Sequence, residues 1–177
     1  FFDKKDISIC SVRAGNVIGG GDYSTDRLVP DILNAINLKK NISLRNPKAI
    51  RPWQHVIEPL FGYLILAQQS YFNKKLTGGW NFGPTEASFK SVEWIANKFL
   101  EKKYNSKTNI NFVEDKEMPE SQVLKLDVTK AIDNLGWNPK LDISDAIDLI
   151  IDWNDAFIEK KNMYEISTLQ LKNYYNL

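Results

Sequence analysis

A cluster of glycines constrains this chain more than any other feature of its sequence. Four of the seven residues from 15 to 21 are glycine, namely Gly15, Gly19, Gly20 and Gly21. An apolar, β-branched run precedes them, in which Ile7, Ile9 and Val12 predict a buried strand over residues 7–14. Because a rigid element does not tolerate so many glycines, the strand is expected to run into an open loop. A ligand can approach the backbone of such a loop closely.

A helix is expected directly after this loop. Ser24, Thr25 or Asp26 can provide its N-cap, and its apolar stripe consists of Leu28, Ile32, Leu33 and Ile36. A strand, a glycine loop, the polar Asn16 and a helix N-terminus together are typical of an anion site at the carboxyl end of a strand. A surface loop with flexible glycines explains the same stretch equally well, so this alternative stays open.

The composition indicates an ordinary globular protein of one domain or one large lobe. Hydrophobic residues make up 43% and charged residues 25% of the 177 residues, and the formal net charge is +1. We therefore expect neither a nucleic acid nor a membrane as partner. With one cysteine, Cys10, and one histidine, neither an internal disulfide nor a conventional zinc cluster is expected. No signal peptide is recognised at the start, which favours a cytoplasmic location, and the start itself resembles the middle of a longer chain.

The remaining patterns predict a mixed α/β protein. Expected strands cover residues 42–44, 80–83, 109–113 and 123–126. Expected helices cover 56–71, the stretch after a Ser91 cap, a short stretch capped by Asp127 and stopped at Gly136, 145–160 after a Ser144 cap, and 166–175. The segment 45–55 contains two prolines and two arginines, and we interpret it as a binding loop.

Three polar residues are candidates for chemistry: Asn16 in the glycine segment, Arg51 between prolines, and Glu120 before an expected strand. Each also has an ordinary explanation, as a turn cap, a surface ion pair and a solvated loop residue. Together they form a set that suits a sugar nucleotide. An arginine fork matches a phosphate, an amide and a helix N-terminus supply neutral donors, and a carboxylate can accept from sugar hydroxyls.

Several motifs resemble one family in sequence order. The segments GNVIGGGD, DRLVPD and RNPKAIRPWQHVIEPLFGYL, followed by WNFGP, SVEW, PES, QVLKLD and LGWNP, are similar to the CDP-glucose 4,6-dehydratases. These are extended short-chain dehydrogenase/reductases (SDRs) that act on nucleotide sugars. The resemblance covers nearly the whole chain, and RNPKAIRPWQHV is its most specific part. Tyr23, where the family often has tryptophan, and Pro119, where histidine is usual, depart from the pattern.

The resemblance implies a fold and a division of labour. Residues 1–177 would form the C-terminal part of an extended SDR Rossmann-type protein, with the last strands of the parallel sheet and a small mixed α/β lobe that binds the nucleotide sugar. A GxxGxxG phosphate loop and a Tyr-x-x-x-Lys pair would lie upstream. The complete enzyme would bind NAD and CDP-glucose or a related nucleotide sugar, and is expected to be a homodimer.

The resemblance also implies site residues. The expected contacts to the nucleotide sugar are Asn16, Arg27, Leu28, Val29, Arg51, Asn81 and Glu120. Ala14 and Gly15 are expected to pass near the nicotinamide of NAD. No catalytic residue and no metal ligand is assigned.

The family's reaction oxidises C4 of glucose with NAD, eliminates water across C5 and C6, and returns the hydride to C6, which yields CDP-4-keto-6-deoxyglucose for deoxysugar and polysaccharide biosynthesis. Tyr71 and Lys75 have the spacing of the Tyr-x-x-x-Lys pair. They follow the substrate segment, whereas the family's pair precedes the first strand of this sequence, so we assign them no catalytic role. A UDP- or dTDP-sugar epimerase or dehydratase, and a standalone nucleotide-sugar-binding module, remain alternatives.

The assignment makes a prediction about catalysis. We expect the 177-residue polypeptide to produce no 4-keto-6-deoxy sugar from CDP-glucose and NAD, because the residues that the reaction needs are not recognised in it. The measurement is product analysis by chromatography, with intact mass confirming that the preparation is pure. Reproducible turnover would contradict the assignment to a substrate-binding part.

Overall fold

A computed structural model describes residues 7–103, 108–113 and 123–176. The strands are β1 (Cys10–Ala14), β2 (Asn16–Ile18), β3 (Ile42–Arg45), β4 (Ile50–His55), β5 (Gly78–Phe82), β6 (Phe89–Ser91) and β7 (Ile110–Val113). The helices are α1 (Leu28–Leu38), α2 (Ile57–Phe72), α3 (Val92–Lys102), α4 (Thr129–Leu135), α5 (Ile143–Ile158) and α6 (Met163–Tyr175). In this part of the chain no helix is both long and apolar enough to cross a bilayer.

The strands form three small groups, mostly with parallel pairing. β1 pairs with β5, β2 with β4, and β3 with β7, all in parallel, while β6 pairs with β4 in the antiparallel direction. Parallel neighbours far apart in sequence require crossover helices, which here are α1, α2 and α3. The fold class is therefore mixed α/β, as expected.

The larger core lies between α1, α3 and α5. Its apolar side chains include Ile32 from α1, Ile95 and Phe99 from α3, and Ile147 and Ile150 from α5, all at most 1% exposed. These positions recur at helical spacing, so each helix buries one stripe and leaves the opposite face in water. This core holds α1 against the strands and thereby fixes the position of its N-terminus.

A second cluster joins α2 to β5 and α4. Phe82 is fully buried between Tyr63 and Trp137, with edge-to-face ring centroids at 5.3 Å and 5.0 Å. Gly62 of α2 lies directly against the Phe82 ring, where an added Cβ would come within 2.2 Å of ring carbon Cδ1. A glycine is needed here for α2 to approach the strand so closely.

The first strand is present but less buried than the sequence predicts. β1 covers Cys10–Ala14 rather than residues 7–14, and Ile7, Ile9 and Val12 are 46%, 47% and 40% exposed. In the described residues β1 has β5 as its strand neighbour, so its other edge is uncovered. An apolar pattern shows which side chains of a strand can be buried, but it does not show whether a neighbouring strand is present to bury them.

The prediction of a binding loop at residues 45–55 is wrong for the second half of this segment. Residues 50–55 form β4, the middle strand of the β2–β4–β6 group. Trp53, Gln54 and His55 are buried, and two of them form hydrogen bonds inside the protein: Trp53 Nε1 donates to the Lys90 carbonyl at 2.9 Å and Gln54 Nε2 to the Phe82 carbonyl at 2.8 Å. Both faces of the strand are covered, so the sequence shows no alternation from which to infer it.

Other strand predictions divide into confirmed and wrong. The strands near residues 42–44, 80–83 and 109–113 are confirmed as β3, β5 and β7. At residues 123–126 the structure has only an isolated bridge between Val123 and Ile50, so that strand prediction is wrong. The open loop is also shorter than expected, because β2 begins directly after Gly15.

The helices are confirmed, but the predicted caps of α1, α4 and α5 are wrong. Ser91 Oγ accepts from the Trp94 amide as expected, and Gly136 ends α4 in the left-handed region with φ +64°. Helix α5 is capped by Asp142 rather than Ser144, because Asp142 and Asp145 form a reciprocal capping box. Helix α1 begins after Arg27 with no side-chain cap, so none of Ser24, Thr25 and Asp26 serves that purpose. Helix α4 is capped by Val128 rather than Asp127, which lies one residue earlier and accepts from the Thr129 amide.

His55 provides a pH-dependent test of this fold. The side chain is 3% exposed, its Nδ1 accepts from the Ile57 amide at 3.3 Å, and no described residue pairs with its Nε2. Burial disfavours the charged imidazolium and lowers the pKa of His55 from 6.5 to about 4. The unfolded chain therefore binds a proton between these two pH values that the folded chain does not.

We expect His55 to lower the free energy of unfolding as the pH falls from 6.5 towards 4, by up to about 1.4 kcal/mol per pH unit. Its stabilising contribution is fully present above pH 6.5. His55→Asn keeps an acceptor for the Ile57 amide and removes the titration. Urea unfolding at several pH values should show a steeper acid loss in the wild type than in the variant. Parallel curves would contradict a buried, neutral His55.

Candidate functional site

A large cavity lies beside the glycine segment and the start of α1. Its volume is about 1220 Å³, and it is lined by residues 15–19, 22, 24, 26–31, 43–46, 51, 53, 92 and 113. The lining thus comes from β2, the loop before α1, the first turn of α1, the end of β3 and β4. Segments far apart in the sequence meet here because β2 and β4 are parallel neighbours.

Gly15 sets the distance between β2 and β4. A Cβ at this position would lie 2.5 Å from the Pro52 carbonyl oxygen, so a larger residue would push the two backbones apart. Asn16 follows and stands opposite Trp53 in the strand register. Its side chain is half-buried, and no described residue forms a hydrogen bond with its amide group. That amide is therefore available to a ligand.

Arg51 reaches the same cavity from β4. Its side chain is half-buried, and Nη1 donates to the Ile50 carbonyl at 2.9 Å, which fixes the guanidinium near the strand. Arg45, at the end of β3, also lines the cavity. The two guanidinium groups come from strands of different groups, β3 and β4, and place positive charge on the same side of the cavity, which suits an anion with two phosphates.

The opposite wall of the cavity carries carboxylates. Asp22, Asp26 and Asp31 all come from the loop before α1 and its first turn, where Arg27 is also found. Hydrogen bonds from the backbone and side chain of Ser24 lower the pKa of Asp22, so this carboxyl group remains ionised. Burial, together with the nearby Asp26, raises the pKa of Asp31. The cavity is therefore polarised, with Arg45 and Arg51 on its strand side and an excess of acids over Arg27 on its helix side.

The structure brings most of the expected site residues together. Gly15, Asn16, Arg27, Leu28, Val29 and Arg51 all line the large cavity. Ala14 and Asn81 do not: Ala14 pairs with Phe82 in the β1–β5 register, and Asn81 Nδ2 donates to the Asp127 carbonyl at 2.8 Å. Glu120 lies outside the described residues. The roles of these nine residues remain predictions.

Tyr71 and Lys75 have no place in the cavity. Tyr71 is 70% exposed near the end of α2 and its ring contacts Lys74 and Phe72, while Lys75 is exposed beyond the helix. Within the described ranges there is also no group of three or more His, Cys, Asp or Glu side chains that could hold a metal ion.

Trp153 is a site residue that sequence reasoning missed. It lies on α5 against the glycine loop, and with Gly20, Gly21 and other residues it lines a second cavity of about 290 Å³ next to the first. Trp153 Nε1 donates to Ser167 Oγ of α6 at 3.1 Å, which fixes the indole in place. The glycines signal that something approaches the loop closely, but they do not show what it is.

The fold defines a class of protein. The chain has the Rossmann-type fold of extended SDRs. It superposes on a UDP-glucose-4-epimerase from Stenotrophomonas maltophila with a TM-score of 0.74 at 17% identity, over 90% of this chain and 51% of that one. A dTDP-glucose 4,6-dehydratase from Bacillus anthracis gives a TM-score of 0.67 at 15% identity, over 90% and 49%. Likeness at these identities shows the fold alone.

A curated relative makes the similarity more specific. The chain is 38% identical to the CDP-glucose 4,6-dehydratase of Salmonella typhimurium over 174 residues, which is 98% of this chain and 48% of the relative. No family model matches. The resemblance inferred from the motifs is thus confirmed, and the chain spans about half the length of this relative.

The contact between Gly20 and Trp153 gives a prediction for the cavity wall. A Cβ at Gly20 would lie 2.3 Å from Trp153 Cγ, so Gly20→Ala should force the loop or the indole to move. We expect a loss of about 1–3 kcal/mol in the free energy of unfolding, as for overpacked sites. Urea unfolding measures it.

The matched control is Gly20→Ala in a Trp153→Ala background. Removal of the indole should make the added methyl nearly neutral, so the two substitutions should show a strong coupling energy. Equal losses in both backgrounds would mean that the Gly20–Trp153 contact does not hold the loop.

Proposed function

We propose that this chain forms the nucleotide-sugar-binding part of an NAD-dependent CDP-glucose 4,6-dehydratase. The observation that carries the proposal is the joint lining of one cavity by Asn16, Arg27 and Arg51, three residues that the resemblance names and that lie on separate elements. The relative from Salmonella typhimurium, at 38% identity, supports the same assignment for the substrate.

The chemistry of the cavity agrees with a nucleoside diphosphate sugar. Arg51 and Arg45 on the strand side offer charge-assisted bonds to the diphosphate. The Asn16 side-chain amide, at the start of β2, can donate a hydrogen bond to a phosphate or sugar oxygen. Leu28, which is half-buried, supplies an apolar surface at the start of α1 on which a base or ribose can rest, and the buried Val29 lies beside it in the helix. A cavity of about 1220 Å³ has room for a ligand of this size.

The cofactor and assembly belong to the same proposal. NAD is required for the hydride steps, and we place its nicotinamide near Ala14 and Gly15, where β1 passes into β2. The complete enzyme is proposed to be a homodimer. We further propose that the product, CDP-4-keto-6-deoxyglucose, is used in deoxysugar biosynthesis.

A second candidate is a UDP-sugar enzyme. Solved structures with this fold include a UDP-glucuronic acid 4-epimerase from Bacillus cereus in complex with UDP-glucuronic acid and NAD, at 19% identity with a TM-score of 0.72 over 88% of this chain and 48% of that one. The higher identity to the CDP-glucose enzyme favours the cytidine nucleotide. The titrations below include UDP-glucose for this reason.

Arg51 is the residue on which the proposal can be tested. If its guanidinium bonds to the diphosphate, Arg51→Ala removes about 1.5–3 kcal/mol of binding energy. This corresponds to a loss of about 10- to 150-fold in affinity for CDP-glucose by calorimetry. Arg51→Lys should recover only part, because an ammonium group keeps the charge and loses the fork.

Arg13→Ala is the matched control. Arg13 is on β1, outside both cavities, and its loss removes the same charge. Thermal unfolding of each variant separates lost stability from lost contact. A well-folded Arg51→Ala protein with wild-type affinity would leave the diphosphate site without support, and a clear preference for UDP-glucose would favour the second candidate.

A further inference from the structure

Asp31 occupies an unusual position in the cavity. It lies in the first turn of α1, beside Leu28 and Val29, and it lines both the large and the small cavity. Its side chain is half-buried, yet no described residue donates a hydrogen bond to the carboxylate or forms an ion pair with it. By contrast, Asp22 in the same cavity accepts from the Ser24 amide at 3.0 Å.

A half-buried carboxylate without a donor costs free energy. Burial and the neighbouring Asp26 both raise the pKa of Asp31, so the surrounding protein does not compensate its charge. A donor brought by a ligand would recover part of this cost. The group is therefore poised to accept a hydrogen bond from whatever occupies the cavity beside the first turn of α1.

The polarity of the cavity decides which part of the ligand reaches Asp31. The strand side carries Arg45 and Arg51, whereas on the helix side three carboxylates outnumber Arg27, so a diphosphate is drawn to the strand side. The base and the sugar lie on either side of that diphosphate, and the proposed function assigns the surface beside Leu28 at the start of α1 to the base. Of the common pyrimidine bases, cytosine carries an amino donor at C4, whereas uracil and thymine carry a carbonyl acceptor there.

We infer that Asp31 determines base specificity: its carboxylate accepts a hydrogen bond from the exocyclic amino group of cytosine and so favours CDP sugars over UDP and dTDP sugars. This inference rests on the function proposed above and names the group that selects the base. With uracil or thymine, the same carboxylate faces the O4 oxygen, and two acceptors repel each other. Discrimination thus has an attractive and a repulsive component.

The test is a pair of titrations on one variant. Asp31→Asn preserves the shape of the side chain, but its amide can either accept from the cytosine amino group or, after rotation, donate to O4 of uracil. We expect calorimetry with CDP-glucose and UDP-glucose to show that the preference for CDP-glucose falls about ten-fold in the variant. Asp31→Ala, which lacks an acceptor, should also lose the preference.

Asp22→Asn is the matched control, because it removes the same charge from the same cavity. A general electrostatic effect acts on both nucleotides alike, so this variant should shift both affinities together and leave their ratio unchanged. If Asp31→Asn behaves in the same way, the carboxylate contacts the ribose or the phosphates, and base selection by Asp31 is overturned.

The outcomes also separate this inference from the proposed function. If the folded wild type binds neither CDP-glucose nor UDP-glucose, the proposed function fails, and the inference with it. If the wild type prefers CDP-glucose and well-folded Asp31→Asn keeps the full preference, the proposed function stands and only the role of Asp31 is refuted. Circular dichroism and thermal unfolding confirm that each variant is folded.

Discussion

The buried carboxylate of Glu58 holds together the parts of the chain on which the cavity depends. Glu58 is 1% exposed; its Oε1 accepts from the amides of Lys140 and Leu141 at 2.8 and 2.6 Å, and its Oε2 accepts from the Tyr174 hydroxyl at 2.9 Å. Burial raises the pKa of Glu58, and the three donors with Lys140 offset part of that cost. One side chain of α2 thus fixes the entrance of α5 and the end of α6.

This anchoring reaches the site through α5. The chain enters α5 directly after the two amides bound by Glu58, with Asp142 as the cap. Two turns further on, Ile150 is in the main core, and Trp153 contacts the glycine loop. Since Trp153 also bonds to Ser167 of α6, both helices that Glu58 positions support the wall of the cavity. Core packing and site geometry are therefore coupled.

The sequence predicted the helices well and β4 poorly, for a physical reason. Helices such as α3 bury one face, so their apolar spacing and the Ser91 cap are readable locally. In β4, Trp53, Gln54 and His55 are all buried, and the carbonyl groups to which Trp53 and Gln54 donate are distant in sequence. The cap prediction for α5 was wrong because the reciprocal pairing of Asp142 with Asp145 outweighs the nearby Ser144.

The site could be predicted only as a set of residue types, because its geometry arises from strand pairing. Asn16 and Arg51 are far apart in the chain, and they meet because the backbone at Gly15 comes so close to Pro52. The resemblance to the CDP-glucose 4,6-dehydratases pointed to both Asn16 and Arg51. No local pattern, however, distinguishes Asp31 from an ordinary acidic residue at the start of a helix. The distinction appears once the cavity is seen: Arg45 and Arg51 come from strands, whereas the loop before α1 and its first turn contribute three acids and one arginine, Arg27. The excess of positive charge on one wall and of negative charge on the other draws an anionic group of a ligand to the strand side, which an even mixture of charges would not do.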